Sequence, residues 1–208
     1  VQAVYITSPT YDGVVSDVLR IADIVHGYGL PLIVDEAHGA HFGLHGSCPR
    51  SAATCGADVV IQSVHKTLPA FTQSAVLHVC TDRIAEDAVE RFLDIYESSS
   101  PSYLLMAGMS RLIPFLQENG ARLFTALDDN LSWFYEKSRQ LRCLHVIQET
   151  DFDRECAYTR DRSKILISTG DCNMDGRQLY DMLLSRYHLQ MEMCSGEYVS
   201  ALCSLMDS

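Results

Sequence analysis

Three apolar runs in this sequence end on residues able to do chemistry. Val4-Tyr5-Ile6-Thr7 leads into Ser8, Pro9, Thr10 and Tyr11. Leu32-Ile33-Val34 leads into Asp35, Glu36, Ala37 and His38, and Val59-Val60-Ile61-Gln62 into Ser63, Val64, His65 and Lys66. Lys66 is the most informative of these. The chain holds only three lysines, Lys66, Lys137 and Lys164, and Lys66 alone follows directly on a strand-like run. An amine at a strand end can form a Schiff base with an aldehyde. The competing reading is a lysine whose stem lies on apolar surface and whose head stays in water.

Asp35 changes that weighing. It ends an apolar run, so its carboxylate is expected at the same sheet edge as Lys66. A buried carboxylate needs a cationic partner. The protonated ring nitrogen of a pyridoxal cofactor is one, and aspartate with lysine recurs around that cofactor. A plain Asp35–Lys66 ion pair, or Asp35 as a cap for the next segment, would also satisfy it.

His38, His41 and His45 with Asp35 and Glu36 raise a rival, a metal-dependent hydrolase, because imidazole and carboxylate are suitable ligands. Gly39, Gly43 and Gly46 interrupt that stretch, so no helix aligns the histidines. HExxH is absent, as are GxGxxG and GxxxxGK, the fingerprints of zinc protease, dinucleotide and P-loop sites. No metal is expected.

The elements that position these residues read as an open α/β sheet. Strands are expected at residues 2–7, 31–35, 58–63 and 75–80. Between the first two, Val14, Val15, Val18, Leu19, Ile21, Ala22, Ile24 and Val25 recur at helical spacing, with Asp12 as cap and Gly27 and Gly29 ending the helix. Strand, helix, strand implies parallel pairing through right-handed crossovers. Runs that are apolar throughout imply a sheet covered on both faces. In such sheets ligands bind beyond the carboxyl ends of the strands. Helices are expected over residues 82–96, 103–118 and 122–141. The polar stretch after them reads as a boundary, giving a large domain at 1–148, a linker at 149–163 and the start of a small α+β domain at 164–208.

Composition bounds the rest. The chain has 208 residues, long enough for a core without staples. Sixteen basic against 27 acidic residues give −11, which argues against nucleic acid or an anionic membrane as partner. No apolar run approaches the roughly 20 residues of a membrane helix. The cysteines at 48, 55, 80, 143, 156, 172, 194 and 203 form no CxxC pair and are expected as buried thiols in a reducing cytoplasm. Residues 1–6 already read as a strand, with no signal or transit segment, so the chain is expected to be a piece of something longer.

Taken together, Ser8-Pro-Thr-Tyr-Asp-Gly, Ile33-Val-Asp-Glu-Ala-His-Gly-Ala-His-Phe-Gly and Gln62-Ser-Val-His-Lys-Thr-Leu resemble the ornithine/lysine/arginine decarboxylase family. Ser98-Ser-Ser-Pro-Ser-Tyr and Tyr187-His-Leu-Gln-Met-Glu-Met resemble it too, so the likeness spans nearly the whole chain. The resemblance implies the aspartate-aminotransferase-like fold, the type I fold of transferases dependent on pyridoxal 5′-phosphate. It implies decarboxylation of lysine, arginine or ornithine in a cytoplasmic homo-oligomer, at least a dimer. Lys66 would carry the cofactor Schiff base, Asp35 would hold the ring proton and Ala37 would pack under the ring. Ser63 and His65 would contact the phosphate, His38 would line the substrate side, and Ser98 or Ser99 would reach the phosphate of a neighbouring subunit. Blander roles stand beside these: Ala37 as a small turn residue, His65 as hydrogen-bonded structure, residues 98–100 as a helix cap.

One departure from the family is expected to matter. The phosphate loop and the ring-stacking aromatic residue, which the family carries ahead of the position of Val1, are not in this sequence. The chain is therefore read as truncated and unable to work alone. The rivals are an aminotransferase or lyase of the same fold, for which Arg177 or Arg186 would have to bind a substrate carboxylate, and a catalytically dead fragment that serves as a partner subunit.

Overall fold

The computed structural model describes residues 1–153 and 158–207. Its first sheet has the order β1, β3, β4, β5, formed by Val4–Thr7, Leu32–Asp35, Val59–Gln62 and Val76–Val79. β1, β3 and β4 are parallel, with Thr7 opposite Asp35 and Asp35 opposite Ile61. That register brings the carboxyl ends of all three strands to one edge. α1 (Val18–Gly27) lays Val18, Ala22 and Val25 against Leu32, Val34 and Val60. Leu32, Val34 and Val60 are wholly buried, which is why β3 and β4 carry little but apolar residues.

Four expectations need correction. β5 pairs antiparallel to β4, Val76 facing Gln62. The only helix between them, α2 (Val64–Thr67), has four residues and turns the chain back at the sheet edge. A parallel return needs a longer crossover. Val14–Val15 is not helical but forms β2, paired with β7 (Thr159–Arg160). α1 therefore begins later, and Asp17, not Asp12, caps it by accepting from the Arg20 N–H at 3.2 Å. Finally, the two helices expected over 103–141 are one.

That helix, α4 (Tyr103–Ser138), follows α3 (Glu86–Tyr96) and runs 36 residues through Pro114, Asn119 and Gly120, about 54 Å. Its apolar seam does not stop at the expected break. Leu112, Leu123 and Phe124 pack with Val64 and Leu68 beside the first sheet. Leu131 and Tyr135 pack on Val146 and Ile165 of the second. Packing on both sides outweighs the weak helix propensity of Asn and Gly. The second sheet has the order β6, β8, β10, β9, formed by His145–Val146, Lys164–Ser168, Tyr198–Leu202 and Met193–Ser195, all antiparallel. α5 (Gly176–Tyr187) covers it through Leu179, which packs with Met191 and Val199.

The cysteines also depart from expectation. Among the described residues only Cys55 is buried, Cys143 is exposed, and all are free thiols. Most sit at the margins of clusters. Cys156 lies outside the described residues. No helix among the described residues is long and apolar enough to cross a membrane.

Candidate active site

β3 sends consecutive side chains to opposite sides as it ends. Asp35 stays half-buried at the sheet edge, where its Oδ1 accepts the Ala37 N–H at 3.0 Å and its Oδ2 accepts the Tyr5 hydroxyl at 2.9 Å. Burial, then the bond to Asp35 and its charge, hold the Tyr5 hydroxyl above its ordinary pKa. Glu36 turns inward and is almost wholly buried. It accepts the Ala52 N–H at 2.7 Å, the Ser51 hydroxyl at 2.9 Å and the Gln62 amide at 2.6 Å. Burial raises its pKa despite those donors. Glu36 is thus a strut that fastens the loop after β3 to residues 51–52 and to β4.

The three histidines of that loop diverge. His41 Nε2 lies 3.4 Å from Asp161 Oδ2. His45 bonds Ser47 at 2.8 Å and stacks on Phe124, centroids 5.6 Å apart. His38 alone reaches the site, its Nε2 3.2 Å from Lys66 Nζ.

Lys66 lies in α2, directly beyond β4. Among the described residues Asp35 and Lys66 form no ion pair with each other, although both stand at this edge. Ser63 occupies the N-cap of α2 but makes no capping bond, which leaves its hydroxyl at the turn. His65 Nδ1 is 2.8 Å from the Ser74 carbonyl oxygen, so one ring nitrogen is committed to structure and the other is left. Ala37 is half-buried beside Asp35. Ser98 bonds within its own loop, to Ser100 N and O, and Ser99 is exposed. Neither makes a hydrogen bond to the Asp35–Lys66 cluster.

Tyr11 joins the site from the end of the first apolar run, and Lys164 and Glu192 join it from outside the three strand ends. Lys164 begins β8 and is 1% exposed, yet its Nζ lies 2.7 Å from His38 Nδ1. Its carbon stem passes over Gly13, where a Cβ would stand 2.7 Å from Lys164 Cβ; Gly13 also has φ +87°. No side chain fits there without displacement. The Tyr11 ring lies 5.2 Å from Lys164 Nζ and edge-on to His38, centroids 4.9 Å apart. The Tyr11 hydroxyl donates to Glu192 at 2.5 Å, and that bond, followed by burial, pushes it up to about 12. Burial, then the charges of Lys164 and Lys66, push the His38 imidazole down to about 4. Burial also lowers the Lys164 ammonium, against the pull of Asp161 and Glu192. The one sequence signal was a lysine set against the apolar run Ile165-Leu166-Ile167, and it gave no hint of His38, 126 residues away.

An amine, an imidazole and an unpaired carboxylate converge beyond the carboxyl ends of parallel strands. Residues 1–130 match the family model described as Orn/Lys/Arg decarboxylase, major domain. That is more than half of the chain, which therefore belongs to this family. It is 28% identical over 188 residues to the arginine decarboxylase of Bacillus subtilis (strain 168), covering 90% of this chain and 38% of that protein. To the arginine decarboxylase of Bacillus cereus it is 27% identical over 203 residues, covering 98% of this chain and 44% of that one. The chain thus spans about two fifths of the length of these relatives. The constitutive lysine decarboxylase of E. coli superposes with a TM-score of 0.74 at 20% identity, over 97% of this chain and 34% of that one. An alanine–glyoxylate aminotransferase from Nostoc sp. gives 0.67 at 13% identity, over 98% and 56%. Likeness at such identity shows the fold, the α/β type I transferase fold expected from the sequence.

Proposed function

We propose that these residues form part of the active site of a pyridoxal-phosphate-dependent decarboxylase acting on a basic amino acid, lysine, arginine or ornithine. The observation that carries the reading is the placement of Asp35 and Lys66. An acid and an amine stand at one sheet edge without neutralising each other, and each is held from behind, Asp35 by Tyr5 and Ala37, Lys66 by His38. Such a pair suits a flat cationic aldehyde between them. Ala37 is small enough to lie under its ring. The uncommitted Ser63 hydroxyl and the free nitrogen of His65 suit its phosphate.

When bound, pyridoxal phosphate supplies an electron sink for the bond between Cα and the departing carboxylate. Lys66 Nζ is the attachment point. Asp35 keeps the ring nitrogen protonated, and Tyr5 and Ala37 fix the carboxylate for that task. Lys66 Nζ, when not holding the cofactor, would stand beside His38 Nε2 as a group that can hold a proton. His38 lines the substrate side. The assembly is proposed to be cytoplasmic and at least a dimer, with Ser98 or Ser99 reaching a neighbouring subunit. Activity is proposed for the longer protein in which these residues stand, and the isolated 208-residue chain is proposed to be inactive.

The test is amine and CO₂ release from arginine, lysine and ornithine by the full-length protein with pyridoxal phosphate, arginine first because several relatives bear that name. Borohydride reduction and peptide mapping should place the label on Lys66. A keto acid product in place of the amine would point to transamination, and label on Lys137 or Lys164 alone would overturn the site.

A further inference from the structure

Two lysines flank one imidazole. His38 Nδ1 faces Lys164 Nζ at 2.7 Å, and His38 Nε2 faces Lys66 Nζ at 3.2 Å. An ammonium has three donors and no acceptor, whereas a neutral imidazole has one N–H and one lone pair. Both contacts cannot be hydrogen bonds from an ammonium. One amine must offer its lone pair to the ring N–H.

The geometry points to Lys164 as the charged donor. Its Nζ stands 5.2 Å from the Tyr11 ring, and the carboxylates of Asp161 and Glu192 favour its charge, although burial lowers the ammonium overall. A cation over a ring face is attracted by it. The contact on this side is also the shorter, as hydrogen bonds with a charged donor are. The longer contact suits a neutral N–H···N bond. Asp35 and Glu192 also face His38, and both oppose the two lysines there.

We propose that Lys164 is a positioning residue for this site: its ammonium donates to His38 Nδ1, fixes the ring as the Nε2–H tautomer, and so turns that N–H onto the lone pair of Lys66. The unprotonated amine is the form that adds to an aldehyde carbonyl, with loss of water. The second sheet thereby acts on the nucleophile of the first through one imidazole. This inference rests on Lys66 being the cofactor-binding lysine.

The experiment uses the full-length protein labelled with nitrogen-15 in histidine, with His38 assigned by His38→Asn. The wild type should show Nε2–H at His38. Lys164→Met keeps the length of the side chain and removes the donor. In it the tautomer preference should be lost, and labelling of Lys66 by pyridoxal phosphate and cyanoborohydride should slow about tenfold, roughly the worth of one hydrogen bond. Labelling of exposed Lys137 should not change. A purely structural Lys164 would move neither the tautomer nor the ratio of Lys66 to Lys137. An Nδ1–H or doubly protonated ring in the wild type overturns the proposal, as does an unchanged labelling ratio in Lys164→Met. If that variant does not fold, the wild-type tautomer decides alone. No label on Lys66 in the wild type would sink the proposed function, while the tautomer still tests the role of Lys164.

Discussion

Replacing Asp35 by Asn should remove a charge and little else. The amide oxygen can still accept the Ala37 N–H, now bonded at 3.0 Å. The amide nitrogen takes the place of the oxygen 2.9 Å from the Tyr5 hydroxyl, and a phenol can accept there as readily as donate. The structural cost is therefore below about 1 kcal/mol. What is lost is the negative charge toward the cofactor ring nitrogen. Breaking a buried ionic contact by removing one partner costs about 3–5 kcal/mol. Asp35 is only half-buried, so the lower end applies, and about 3 kcal/mol is roughly a hundredfold in rate. In the full-length protein, Asp35→Asn should keep its urea midpoint and its borohydride-reducible link at Lys66. Amine release should slow about a hundredfold. A second readout is Tyr5, whose hydroxyl should titrate lower once the bond and charge of Asp35 are gone, with the larger effect of burial remaining. Near-normal turnover in a variant that shows the Tyr5 shift would refute the role of Asp35.

The remaining predictions concern the scaffold around the site. Glu36→Ala strips the acceptor from Ser51, Ala52 and Gln62. Stability should fall by about 3 kcal/mol, read as a lower urea midpoint at unchanged slope; a loss under ~1 kcal/mol would show that the strut is dispensable. His38 is pushed down to about 4, first by burial and then by Lys164 and Lys66, against about 6.5 unfolded. Between those values the unfolded chain binds more protons, so stability should drop as pH falls from about 6.5 to 4. Discounted for partial solvent access, the drop due to His38 is about 1–2 kcal/mol. It is measured as the difference in pH slope between wild type and His38→Asn, and equal slopes would count against it.

Much of the site was legible because its chemistry begins where apolar runs end. Leu32–Asp35 and Val59–Gln62 are apolar because both sheet faces are covered. A charged residue at the end of such a run has only the sheet edge to go to. That logic put Asp35, His38 and Lys66 at one sheet edge, and it had nothing to say of His41, His45 and Glu36. Their side chains are as polar as the others, but they turn elsewhere, His41 toward Asp161, His45 to Ser47, and Glu36 to Ser51, Ala52 and Gln62. Spacing in a Gly-rich loop does not say which way each residue turns.

The sequence by itself determined the three parallel strands, the helix packed on them and the chemical residues at their ends, because burial on a strand or helix leaves a periodic record in the chain. Only the tertiary structure decided the antiparallel return of Val76–Val79, the unbroken helix Tyr103–Ser138, and the arrival of Lys164 and Tyr11 around His38. Apolar patterning reports that a face is buried, not what it is buried against. A contact across 126 residues depends on how two sheets are set against one long helix, and no local spacing encodes that.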